Sequence, residues 1–66
     1  MKVIDLLSLI SDYTNVLVMD TDGNELGYYD GRDSIPENLN EREIESVSAS
    51  IYKLWGDIPC ISITVL

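Results

Sequence analysis

Nothing in this chain can staple it shut. Cys60 is its single cysteine and it has no histidine, so neither an internal disulfide nor a cysteine–histidine metal site can hold its 66 residues together. A chain of this length hides only about 60% of its unfolded surface on folding. Small domains make up the shortfall with disulfides, metals or partner subunits. With the first two set aside, the expectation is a single domain over residues 1–66 completed by self-association, as a homo-oligomer and most simply a dimer.

The hydrophobic fraction is 45%, ordinary for a globular domain and too high for a disordered one. No apolar run approaches the ~18 residues of a membrane span, so no membrane partner is expected. Met1 to Ile10 has Asp5 inside its apolar stretch and lacks the charged start and small-residue cleavage site of a signal peptide. A free cysteine without an export signal suits the cytoplasm. Twelve acids face four bases, a net charge of −8. Such a surface repels nucleic acid, because a phosphate track must be met with lysine and arginine. It attracts a partner with a basic surface, or it serves only to keep a small protein dissolved, and composition leaves both readings open.

Hydrophobic spacing gives the order of elements. Val3, Ile4, Leu6, Leu7 and Ile10 recur every three to four residues, which predicts a helix over Met1 to Ser11. Val16 to Met19 is an unbroken apolar run, a strand over Asn15 to Asp20 buried on both faces. Thr21-Asp22-Gly23-Asn24 is a hairpin turn, and Glu25 to Asp30 returns as the second strand. Gly27 inside it marks a bulge or a close backbone approach. Asp33-Ser34-Ile35-Pro36 starts a single helical turn, with Asp33 or Ser34 as its cap, Pro36 early in it and Leu39 as its anchor.

Residues 43–54 fit two periods. Ile44, Val47, Ile51, Leu54 and Trp55 lie on a helical stripe ending at Gly56, whereas Val47, Ala49 and Ile51 alternate with Ser46, Ser48 and Ser50 as in a half-buried strand. The strand reading is preferred, because Pro59 to Leu66 alternates too, and Val47, Ala49 and Ile51 can then oppose Val65, Ile63 and Ile61 in a hairpin. The fold class expected is α+β, an N-terminal helix packed on a four-stranded, mainly antiparallel sheet. The uncovered face would draw on Leu17, Met19, Tyr29, Cys60, Ser62 and Thr64.

The opening Met1-Lys2-Val3-Ile4-Asp5-Leu6-Leu7, the Asp22-Gly23-Asn24-Glu25 turn, the run from Tyr29 to Pro36 and Asn40-Glu41-Arg42-Glu43-Ile44 together give the chain its likeness. It resembles a diffuse group of small proteins from phages and mobile elements of Gram-positive bacteria. The resemblance implies an origin more than an activity. It also implies a compact α+β unit, which supports the strand reading of residues 43–52, and it includes small acidic inhibitors of bacterial immunity.

No group of residues carries catalytic machinery. Asp20-Thr21-Asp22-Gly23-Asn24 spaces oxygen ligands like a calcium loop, but its glycine comes too early and Gly31 stands where a closing glutamate belongs. Asp20, Asp22, Asp30 and Asp33 are expected to gather near one end of the first hairpin and its exit as a solvated acidic rim. Cys60 lacks a histidine to activate it and reads as a small buried hydrophobe. No enzyme activity, cofactor or metal is therefore expected. The binding candidates are Tyr28, Tyr29, Tyr52 and Trp55, since aromatics with a polar handle dominate interface hot spots, with Asp20, Asp22, Asp30 and Asp33 beside them. Tyr28 and Tyr29 are adjacent on a strand, so at most one is core. One of Tyr29 and Trp55 is expected to be an exposed anchor. The leading expectation is a phage-type binding protein that inhibits or modulates a host protein of antiviral defence. The alternatives are an oligomer that sequesters a nucleotide-type ligand, for which Arg32 or Arg42 should line a pocket, and a plain oligomerisation module.

Overall fold

A computed structural model describes residues 1–53 and 56–66. Its elements are α1 (Val3–Leu7), β1 (Val16–Asp20), β2 (Glu25–Tyr29), a 3-10 turn (Arg32–Ser34), α2 (Glu37–Asn40), β3 (Ile44–Tyr52) and β4 (Ile58–Val65). The class is α+β, with the longer of two short α-helices at the N-terminus and one four-stranded sheet in the order β2-β1-β4-β3.

The sheet is two hairpins joined edge to edge. β1 pairs antiparallel with β2 and β3 antiparallel with β4, as hairpin spacing requires, while β1 and β4 run parallel through the middle. The sheet is therefore mixed. β1 takes a central place because Val16, Leu17 and Val18 are all buried, and such a run needs cover on both faces.

The helix is shorter than the stripe from Met1 to Ser11 predicts. Met1 and Lys2 are extended and run beside Arg42 to Ile44, with Ile44 N–H donating to the Met1 carbonyl at 2.8 Å and Val3 N–H to that of Arg42 at 3.0 Å. The Asp5 carboxylate accepts from the Lys2 N–H at 3.0 Å and starts the helix. Beyond Leu7 the helix stops. The Leu7 and Ile10 carbonyls accept from the Arg32 guanidinium, each at 2.9 Å, a side-chain cap across 25 and 22 residues of sequence.

The helical turn expected at residues 33–36 is split in two. A residue preceding proline is driven to extended backbone, and Ile35 sits at φ −75° and ψ 127°. Arg32–Ser34 forms one short turn, and Pro36 is the N-cap of the next rather than a residue within it. Ser34 Oγ donates back to the Gly31 carbonyl at 2.7 Å instead of capping a helix. Leu39 anchors the second turn as expected.

One face of the sheet carries the core. Val16 and Val18 of β1 and Ile63 and Val65 of β4 cluster with Val3 and Leu7 from α1 and with Ile35 and Leu39 from the connection, all buried. β3 is a strand, so the alternation outweighs the helical stripe. Its register is two residues away from that expected: Val47 faces Ile63, Ala49 faces Ile61 and Ile51 faces Pro59. A bulge between Ile44 and Ser46 absorbs one residue, and Tyr52 opposite Ile58 closes the hairpin around residues 53–57. A shift of two leaves each side chain on its expected face.

The opposite face differs by one residue from expectation. Leu17 pairs with Tyr28 on one side and Ser62 on the other, so it is Tyr28 that shares this face with Leu17, Cys60, Ser62 and Thr64. Tyr29 points to the core face and packs against the cluster. Among the described residues no helix is long and apolar enough to cross a membrane.

Candidate interaction surface

The acidic residues divide into two groups instead of one rim. Asp20 and Asp22 lie at the turn of the β1–β2 hairpin, while Asp30 and Asp33 follow Tyr29, which pairs with Val16 at the far end of the strands. Asp20 is committed to its own turn. Its Oδ1 accepts from the backbone N–H of Asp22 at 3.0 Å and of Asn24 at 2.9 Å, and Oδ2 accepts from Asn24 Nδ2 at 3.2 Å. These bonds, the Asn24 N–H first, lower the Asp20 pKa below its ordinary value. Gly23, at φ +86°, provides the left-handed residue of the turn. The calcium-like spacing is thus a hairpin turn, and among the described residues no group of three or more His, Cys, Asp or Glu side chains is placed to hold a metal.

Three of the four bases are occupied within the chain. Lys2 Nζ meets Glu41 at 3.1 Å, and that hydrogen bond raises the Lys2 pKa. Arg42 gives Nε and Nη2 to the Leu66 carbonyl oxygen at 2.8 and 2.6 Å. Arg32 pairs with Asp12 in addition to the two carbonyls it caps, and Asp33 lies 3.8 Å from its Nε. A shallow groove of about 380 Å³ is lined by Arg32 together with Ile4, Leu7, Ser8, Asp33 and Asn40. Arg32 therefore does border a pocket, but its charge is already met by Asp12 and its donors by backbone oxygen.

The tyrosines are arranged in a way the sequence does not disclose. Tyr28 and Tyr52 stack with ring centroids 3.9 Å apart and planes 4° from parallel. They belong to the two outermost strands, so the pair reaches across the face that carries Leu17 and Cys60, both buried. Burial pushes both phenols up in pKa, with Asp30 adding to the rise at Tyr28 and Glu25 at Tyr52. Burial likewise raises the Cys60 thiol, which makes it a poorer nucleophile. Tyr29 lies half-buried against the core with its ring over Gly27, where a Cβ would come within 2.6 Å of Tyr29 Cζ. Trp55 lies outside the described residues.

No protein-family model, curated protein or solved structure matches the chain. The geometry alone carries the functional argument.

The surface that sequence reasoning passed over is β3. Val47 and Ile51 are on the core face of the sheet yet 45% and 52% exposed, and Ala49 between them is exposed as well. The buried cluster beneath the helices draws on Val16, Val18, Ile63 and Val65 of β1 and β4 and includes none of these three β3 residues. The alternation that identified the strand was the available signal. It reveals which residues share a face but not whether anything covers that face.

Proposed function

We propose that the chain is a non-enzymatic, acidic binding protein of the phage type that acts in the cytoplasm on a host protein with a basic surface, as an inhibitor or modulator of antiviral defence. The observation that carries this reading is the one-sided use of charge. Lys2, Arg32 and Arg42 are engaged with Glu41, with Asp12 and Asp33, and with carbonyl oxygen, while Asp22, Glu25 and Asp30 stay exposed at the two ends of the first hairpin with no base paired to them among the described residues. The net field is therefore anionic, which speeds encounter with a basic partner and disfavours nucleic acid.

The test is capture of host proteins from a Gram-positive lysate on the immobilised chain, followed by titration of the purified partner. The reading requires a basic protein whose affinity falls with salt and falls again when Asp22, Asp30 and Asp33 are changed together to lysine. Binding indifferent to both salt and these changes overturns it, as does a salt-sensitive gel shift of DNA or RNA by the chain alone.

A further inference from the structure

We propose that β3 is the dimer seam of this protein, pairing antiparallel with β3 of a second copy about a two-fold axis through Ala49. The inference stands apart from the acidic-partner reading and rests on three observations.

First, β3 is an outer strand, and only one end of its free edge is covered. Met1 to Val3 run along it at Arg42 to Ile44, through the hydrogen bonds Ile44 N–H to Met1 and Val3 N–H to Arg42. No described strand lies beside the edge from Glu45 to Lys53. Monomeric proteins blunt such an edge with a central charge, a proline or a bulge. Here the stretch Ser46 to Tyr52 holds no charge and no proline, and the bulge, at Glu45, sits at one end of the open edge next to the residues the N-terminal segment covers.

Second, the uncovered edge is self-complementary. Turned end for end about Ala49, it places Glu45 opposite the second copy's Lys53, Val47 opposite Ile51, and Ala49 opposite itself. On the other face Ser46 meets Tyr52 and Ser48 meets Ser50. Each apolar residue finds an apolar partner, Ser48 finds Ser50, and the two end charges find their opposites twice. A two-fold centred on Ser48 instead sets Glu45 against Ile51 and Lys53 against Glu43, a position that Lys2 already pairs within the chain.

Third, the row Val47, Ala49 and Ile51 is exposed beside buried Ile63. Adding a strand brings the second copy's row alongside and extends one apolar surface across the seam. The product is a continuous sheet in which both copies of β3 are interior, a closed isologous contact with no free β3 edge.

Sedimentation velocity on the full chain is the first measurement, and twice the chain mass is expected at micromolar concentration. Glu45→Lys should raise the dimer dissociation constant at least roughly tenfold, because two opposite-charge pairs become like-charge pairs. Glu45→Lys combined with Lys53→Glu should restore it. Glu45 and Lys53 of one copy sit at opposite ends of the strand, so only pairing between copies explains the rescue. Under mild oxidation Ala49→Cys should cross-link two chains, while Val47→Cys, which faces Ile51, should not. Circular dichroism of each variant separates loss of dimer from loss of fold. A monomer at every concentration overturns the proposal and leaves the edge to an extended segment of another protein. Absence of charge-swap rescue, or equal cross-linking at residues 47 and 49, overturns the register about Ala49 and with it the proposed seam.

Discussion

Tyr28 and Tyr52 sit on opposite edges of the sheet, yet their rings lie face to face at 3.9 Å. Three inter-strand spacings of about 4.8 Å put those strands roughly 14 Å apart in a flat sheet. The rings close that gap on the face that carries Leu17 and Cys60, where no helix among the described residues packs. The pair acts as a clasp that joins side chains from the two outer strands over this face.

The clasp predicts coupled stability effects. Tyr28→Ala and Tyr52→Ala should each lower the melting temperature, and the double variant should cost less than the sum of the two. The coupling expected for a stacked pair is about 1 kcal/mol, read from a double-mutant cycle by urea unfolding. Full additivity would show that the rings do not support one another in solution.

Gly27 and Tyr29 should be coupled in the same sense for a different reason. A Cβ at residue 27 would lie 2.6 Å from Cζ and 2.8 Å from Cε2 of Tyr29, so Gly27→Ala must push the ring off the strand. Overpacking of this kind costs about 1–3 kcal/mol. In a Tyr29→Ala background the ring is gone and the same alanine should be neutral or better, because glycine is a weak strand former. Tyr29→Ala alone should melt below wild type at every protein concentration, since Tyr29 packs on the core. A concentration-dependent loss would move Tyr29 to an interface instead.

Acid should weaken the first hairpin through Asp20. Its folded pKa lies below the ordinary 3.8 because the Asn24 and Asp22 N–H groups and Asn24 Nδ2 hydrogen-bond the charged form. A depressed carboxyl contributes stability that is present above the unfolded pKa and is lost as pH falls through the folded one. The melting temperature should therefore drop below about pH 4, and Asp20→Asn, which cannot titrate, should show a shallower drop over the same interval. Equal slopes for the two proteins would remove Asp20 from the acid response.

Arg32 should prove a structural residue. Its guanidinium serves the Leu7 and Ile10 carbonyls at 2.9 Å, and its removal takes the donor from the Ile10 oxygen and leaves the Leu7 oxygen only the long 3.4 Å bond from the Ile10 N–H. Arg32→Met keeps the aliphatic stem and loses the donors, at a cost of about 1–3 kcal/mol by chemical denaturation. Added nucleotides should leave the wild-type melting temperature unchanged, because Asp12 already meets the charge that borders the groove. A rise in melting temperature that saturates with nucleotide and vanishes in Arg32→Met would restore the sequestering alternative.

Local chemistry determined much of this protein from the sequence alone. The unbroken run from Val16 to Met19 marked a strand that needs cover on both faces, and it became a central strand. Asp20 to Asn24 spelled a turn because an aspartate there can bond the two N–H groups ahead of it and Gly23 can take a positive φ. The serine alternation marked β3, and adjacency forced Tyr28 and Tyr29 to opposite faces. Tertiary structure decided what local rules cannot reach. The parallel pairing of β1 with β4 depends on a crossover, and the end of α1 depends on an arginine 25 residues away. The β3–β4 register turned on a bulge that absorbs one residue. Tyr28 and Tyr52 meet from the two outer strands of the sheet, and Val47, Ala49 and Ile51 stay open although they share the core face. Periodicity fixes the face a side chain takes, but how far the neighbouring layer extends over that face is a property of the whole packed chain.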